Sequence, residues 1–260
     1  MPFVQLKDIR IHYDLIGPVA APALVFSNSL GATFSMWDAQ IPALGKQFRV
    51  LRYDTRGHGE SSATPGPYSI EQLARDVLSL LDALQFDRVH FCGLSMGGQT
   101  GMWLAINAPA RLHSLVLSNT AAKIGTPEIW NSRIETVRKG GMKSISTAVM
   151  ERWFSATFRA NSPEVVTAIK VKFESTNPEG YIANCAAIRD FDVRQDLAAI
   201  RVPTLVIAGT HDAATTPSDG HYLADRITGA RYAELDAAHL SNIEVPGRFS
   251  SEVISFLAPQ

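Results

Sequence analysis

Ser95 stands in Gly93-Leu94-Ser95-Met96-Gly97-Gly98, between the apolar run Val89-His90-Phe91-Cys92 and a segment, Gln99-Thr100-Gly101-Met102-Trp103-Leu104-Ala105, that reads as a helix beginning at once. A strand that turns directly into a helix forces the corner residue into strained backbone and crowds its neighbours two positions away, so both flanks are glycine. The corner holds the serine hydroxyl above the carboxyl end of a sheet and aims the free N–H groups of the new helix at the same point. That is the placement of a nucleophile for acyl transfer. A Gly-x-Ser-x-Gly pattern also arises by chance in glycine-rich loops; the strand before it and the helix after it carry the reading.

An unaided serine hydroxyl needs a base within hydrogen-bond reach and a carboxylate that fixes the tautomer of that base. In open α/β sheets such groups gather outside the carboxyl ends of the strands. Asp212 follows the buried run Pro203-Thr204-Leu205-Val206-Ile207-Ala208, and His239 lies in the loop after the next strand, Arg231 to Leu235. The chain order nucleophile, acid, base is the one this architecture uses. The other histidines fit less well. His12 and His90 fall inside strands, His113 begins one, His221 lies in a helix, His58 follows a strand on the far side of the nucleophile, and His211 diverges from its neighbour Asp212. Asp54 also ends a strand; it reads as a turn-stabilising carboxylate and is the reserve acid. Donors for the developing oxyanion are expected from two backbone amides, that of Met96 after the nucleophile and that of Leu30 in the loop Asn28-Ser29-Leu30-Gly31.

These groups must be carried by a sheet. Short β-prone runs at Phe3 to Leu6 and Arg10 to Ile16 suggest an opening hairpin. Ala23 to Phe26, Arg49 to Tyr53, the strand before Ser95 and His113 to Ser118 then alternate with helical segments. Among these, Ser69-Ile70-Glu71-Gln72 has the form of a capping box. Such alternation implies a mostly parallel sheet flanked by helices on both faces. It breaks between residues 121 and 197, a stretch helical in pattern, and resumes afterwards. The expected organisation is a core of residues 1–120 and 198–260 with an inserted helical cap at 121–197.

The chain has 260 residues, 46% hydrophobic and 19% charged, with a net charge of -1. That balance offers no long-range field for nucleic acid or an anionic membrane. Met1 to Gln5 lacks the plan of a signal peptide and no apolar run is long enough to span a bilayer, so a cytoplasmic protein is expected. Cys92 and Cys185 show no metal-ligand spacing and read as small buried apolar residues, implying neither a metal site nor a disulfide framework.

Together these features resemble the α/β-hydrolase superfamily over essentially the whole chain, and within it the 3-oxoadipate enol-lactonases. The narrower resemblance rests on Asn28-Ser29-Leu30-Gly31, Asp54-Thr55-Arg56-Gly57-His58-Gly59, the Ser95 corner, Ile124-Gly125-Thr126-Pro127, Trp130 with Arg133-Ile134, Asn184 to Asp190 and Ala237 to Asn242. It implies hydrolysis of a five-membered enol-lactone bearing a carboxymethyl group to 3-oxoadipate, with no metal or organic cofactor. Alternatives are another serine hydrolase of this fold, such as a carboxylesterase, a perhydrolase-like enzyme or a carbon–carbon bond hydrolase, and a non-catalytic receptor. On the helix expected from Pro127 to Lys139, Arg133 falls inside an apolar stripe of Ile129, Trp130, Ile134 and Val137. Either its guanidinium pairs with an acid such as Glu135 or Glu151, or it grips the substrate carboxylate while Trp130 and Trp153 wall the ring. Arg138 is the reserve, although Glu135 is well placed to neutralise it.

Overall fold

Eight strands form one sheet in the order β1-β2-β4-β3-β5-β6-β7-β8 in the computed structural model, which describes residues 2–258. Met1, the first residue of the segment tested for a leader, lies outside the described residues, as do Pro259 and Gln260. The strands are β1 (Phe3–Gln5), β2 (Arg10–Ile16), β3 (Ala23–Ser27), β4 (Arg49–Tyr53), β5 (Val89–Leu94), β6 (Leu112–Ser118), β7 (Thr204–Gly209) and β8 (Arg231–Leu235). The first two pair antiparallel and β2 runs antiparallel to β4, while every pairing from β4 through β8 is parallel. Every residue of β3 and of β7 is buried. A strand covered on both faces needs apolar side chains at successive positions, which is why these runs show no alternation.

Eleven α-helices accompany the sheet among the described residues: α1 (Ile41–Leu44), α2 (Ile70–Ala83), α3 (Met96–Asn107), α4 (Pro127–Gly140), α5 (Lys143–Trp153), α6 (Ala156–Asn161), α7 (Pro163–Glu174), α8 (Pro178–Asp190), α9 (Pro217–Arg226), α10 (Ser241–Glu244) and α11 (Pro246–Leu257). The Ser69 hydroxyl accepts from the Gln72 amide at the start of α2. The full reciprocal box occurs at α9, between Thr216 and Asp219. No described helix is long and apolar enough to cross a membrane.

Between β6 and β7 the described chain is helical, α4 to α8, with no strand. On α4, Trp130, Ile134 and Val137 are buried, but Ile129 is 52% exposed. The apolar stripe expected at the sequence level is therefore narrower than the sequence pattern. At about 100° per residue Ile129 points well away from the Trp130–Ile134–Val137 line, and Arg133 sits at the edge of that line. The helix ends at Gly141, whose φ of 66° few other residues tolerate.

Candidate active site

Strand β5 runs into Ser95, whose φ of 59° and ψ of −114° lie where a residue with a side chain is strained. The backbone closes so tightly that a Cβ on Gly93 would stand 2.1 Å from the Gly97 carbonyl oxygen, and one on Gly97 would stand 2.2 Å from that of Ser27. Hydrogen bonds hold the corner in place. The Ser95 amide donates to the Ser118 carbonyl at 3.0 Å, and the Ser95 carbonyl accepts from the Thr120 hydroxyl at 2.7 Å. The Gly97 amide donates to the Asn28 carbonyl at 3.0 Å, tying the corner to the loop after β3.

Asp212 and His239 leave the carboxyl ends of β7 and β8. The Nδ1–H of His239 donates to Asp212 Oδ2 at 2.8 Å, and both residues are buried. This contact leaves Nε2 as the ring nitrogen free to take a proton. Asp212 accepts four further bonds: from Asn119 Nδ2 at 3.0 Å, the Thr215 hydroxyl at 2.8 Å, and the amides of Ala214 at 2.8 Å and Thr215 at 3.1 Å. Burial alone would raise the pKa of this carboxyl, but the neighbouring imidazole and the donated hydrogen bonds outweigh it and hold the group at about 2. Ser95 and His239 line one cavity, and no hydrogen bond joins their side chains. Such catalytic contacts often tighten only when substrate is present. Asp54 is occupied elsewhere, by His12 at 2.8 Å and by the amides of Phe34 and Glu60.

The loop that carries Leu30 is pinned from several sides. Asn28 donates to the Tyr53 carbonyl and accepts from the Trp37 indole, the Ala32 amide donates to the Ser29 carbonyl, and the Gly31 amide donates to His58 Nε2 at 2.8 Å. The amides of Leu30 and Met96 have no acceptor among the described residues. Leu30 lines the cavity, whereas the Met96 side chain is buried and only its amide stands next to Ser95. His58 is fully buried, and burial lowers its pKa to about 4 against the opposing influence of the Arg56 carbonyl and Asp54. A neutral ring with Nε2 as acceptor is what the Gly31 amide requires.

The cavity measures about 310 Å³ and is walled on its far side by α4, α5 and α8. Trp130 and Trp153 both line it, as does Arg133. The Trp130 indole donates to the Ile124 carbonyl, and the Arg133 guanidinium stacks over that indole at 5.1 Å and reaches the Tyr181 hydroxyl at 3.5 Å. Arg133 forms no salt bridge among the described residues. Glu135 pairs instead with Arg138 and Glu151 with Arg159. Arg138 does not line this cavity.

Four residues at or behind the site carried no clear signal in the sequence. Arg152 and Tyr181 enter the cavity wall from α5 and α8. Asn119 sits behind Asp212, also donates to the Ala238 carbonyl and accepts from Ser118 and Ser241. Glu244 accepts from the Ala238 amide and from the amide and hydroxyl of Ser155, fastening the His239 loop to the start of α6. The pattern Ser118-Asn119-Thr120 directly after a buried strand is the one cue that could have drawn attention to Asn119.

Residues 22–141 match a family model described as the alpha/beta hydrolase fold. The chain is 44% identical to 3-oxoadipate enol-lactonase 2 of Acinetobacter baylyi over 95% of its own length and 92% of that protein. It superposes on the enol-lactonase of Burkholderia xenovorans LB400 with a TM-score of 0.98 at 49% identity, covering 99% of this chain and all of the other. A malate-bound thermophilic esterase of Thermogutta terrifontis is similar at a TM-score of 0.90 and 30% identity, covering 96% and 93% of the two chains.

Proposed function

The chain belongs to the α/β-hydrolase superfamily as a carboxylic ester hydrolase, and from that premise we propose that it opens the ring of 3-oxoadipate enol-lactone to give 3-oxoadipate, in aromatic catabolism. The observation that carries the choice of substrate is Arg133, a cation held without an acidic partner in the wall of the Ser95 cavity. A cavity of about 310 Å³ is at the small end of ligand sites, suited to a compact acid.

In this reading Ser95, His239 and Asp212 are the catalytic triad. Ser95 Oγ attacks the lactone carbonyl carbon as His239 Nε2 takes its proton, and Asp212 stabilises the resulting imidazolium. The amides of Leu30 and Met96 hold the oxyanion. Collapse breaks the ring C–O bond, and the departing enolate oxygen receives the proton from His239. His239 then removes a proton from water, which attacks the acyl carbon, and Ser95 recovers its hydrogen as the acid is released. The freed enol relaxes to the ketone. Arg133 binds the carboxymethyl carboxylate through charge-assisted hydrogen bonds, Trp130 and Trp153 flank the ring, and helices α4 to α8 act as a cap over the core. The substrate is a small carboxylate-bearing lactone handled by a cytoplasmic enzyme.

Incubation of the purified protein with enol-lactone, with the product identified by mass spectrometry, tests the activity. No 3-oxoadipate above the uncatalysed rate, alongside rapid cleavage of aryl esters, would return the protein to the carboxylesterases. Arg133→Met tests the binding role: a loss of about 10- to 200-fold in kcat/KM is expected on the carboxylate substrate, with a much smaller loss on a neutral ester. Equal losses on the two would make the arginine a support for the cap.

A further inference from the structure

A second depression lies outside the Ser95 cavity, between α4 and α5. It measures about 400 Å³ and opens to solvent past Ser132, Thr136 and Ala148. Ile129, Arg133, Val149 and Arg152 line both this groove and the inner cavity. These four side chains therefore stand between the two spaces, and the polar groups among them are two guanidinium groups.

Neither arginine forms a salt bridge among the described residues, although acids are near. Glu135 and Glu151 are taken by Arg138 and Arg159, and Glu128, the one carboxylate lining the groove, is engaged by the Thr126 hydroxyl. Partial burial and the neighbouring Arg133 lower the pKa of Arg152, a cost to its charged form that an anion beside it would relieve. The exposed Ile129 beside them is an apolar side chain left in solvent at the same spot. Two arginines against the single carboxylate Glu128 leave the groove lining with an excess of positive charge in a protein whose net charge is -1.

We propose that the α4–α5 groove is the vestibule by which carboxylate-bearing esters and lactones reach Ser95, and that Arg133 and Arg152 together form the carboxylate-capturing neck. The proposal rests on the serine-hydrolase reading of the inner cavity but not on which lactone is opened, so both arms of the test use synthetic esters. A carboxylate passing the neck exchanges water for two guanidinium partners, while a neutral ester crosses it with no such gain. The dianionic product leaves by the same path.

The route is tested by blocking it. Ala148 and Ser132 are exposed and line the groove but not the inner cavity, and both native cysteines are buried, so Ala148→Cys and Ser132→Cys each supply one reactive thiol. Each variant is coupled to a bulky methanethiosulfonate, the adduct is verified by mass, and hydrolysis of p-nitrophenyl acetate is followed before and after reversal with dithiothreitol. Turnover is expected to fall at least tenfold on coupling and to return on reduction. Retention of more than half the turnover by both fully coupled variants overturns the route. The neck is tested with Arg152→Met, comparing kcat/KM for mono-p-nitrophenyl succinate with that for p-nitrophenyl butyrate. The ratio is expected to fall at least tenfold and its dependence on ionic strength to weaken. An unchanged ratio overturns the role of Arg152.

Discussion

Replacing Asp212 by asparagine separates the proposed triad from its alternatives. The carboxylate accepts five hydrogen bonds, three of them on Oδ2 from His239, Asn119 and Thr215. Asparagine can keep the two backbone amides on its carbonyl oxygen, but its NH₂ then meets the Nδ1–H of His239 and the Nδ2–H of Asn119. Thr215 can rotate its hydroxyl to accept; Asn119 cannot. His239 answers by moving its proton to Nε2, which removes the lone pair that should receive the Ser95 proton. A rate loss of about 10⁴ is expected from the wrong tautomer, with a stability loss of about 1–3 kcal/mol for the unpaired buried amides.

The same substitution has a pH signature. Asp212 lies at about 2 in the folded protein against an ordinary 3.8, which corresponds to about 2 kcal/mol of stability. Because the folded value is the lower one, this contribution is fully present above the unfolded value and is lost as pH falls from about 4 towards 2. Asp212→Asn should flatten that part of the melting-temperature profile. The assays are kcat/KM on p-nitrophenyl acetate and thermal melts across the acid range, with Asp54→Asn as the control. Asp54 bonds His12 and the Phe34 and Glu60 amides, so its variant should lose stability and retain most turnover. A folded Asp212→Asn enzyme within tenfold of wild type, or a folded Asp54→Asn enzyme that loses 10⁴, would refute the assignment.

Ser95→Ala should fold normally yet lose about 10⁴ or more in turnover and all labelling by an active-site phosphonate; near-normal turnover refutes the nucleophile. His58 is held neutral with its pKa lowered to about 4, so as pH falls from about 6.5 to 4 the unfolded chain takes up a proton that the folded one does not, and stability drops by about 3 kcal/mol. His58→Gln, whose carbonyl can still accept from Gly31, should melt with a shallower pH slope in that window; an unaltered slope would place the acid sensitivity elsewhere. Gly97→Ala drives a methyl into the Ser27 carbonyl and should cost more than about 3 kcal/mol or abolish folding, so a stable, active variant would contradict the tight corner. Asn119→Ala removes a donor to Asp212 and unpairs Ser118 and Ser241 at a φ of 44°, for an expected loss of about 2–4 kcal/mol measured by urea unfolding.

The placement of Ser95 at a strand-to-helix corner, and of Asp212 and His239 beyond the carboxyl ends of β7 and β8, was legible because each is set by short-range rules. Gly93 and Gly97 mark a corner that only a residue without a side chain can flank, and buried strands followed at once by polar loops mark the carboxyl edge of a parallel sheet. The run of strands and helices was readable for the same reason, since burial on both faces writes an apolar signature into a few consecutive residues. The surroundings of the arginines on α4 and α5 were not readable in this way. Helical periodicity put Arg133 among apolar neighbours but could not say which side of α4 would meet α8, so Ile129 was expected in a stripe and stands instead exposed, between the groove and the inner cavity. Arg152 and Tyr181 lie far from Arg133 in sequence, and only the packing of α4 against α5 and α8 makes them neighbours. Asn119 is likewise bound to residues more than ninety positions away. A sequence pattern fixes the direction of a side chain about its own helix or strand; which other elements that direction meets is decided by packing among segments distant in the chain.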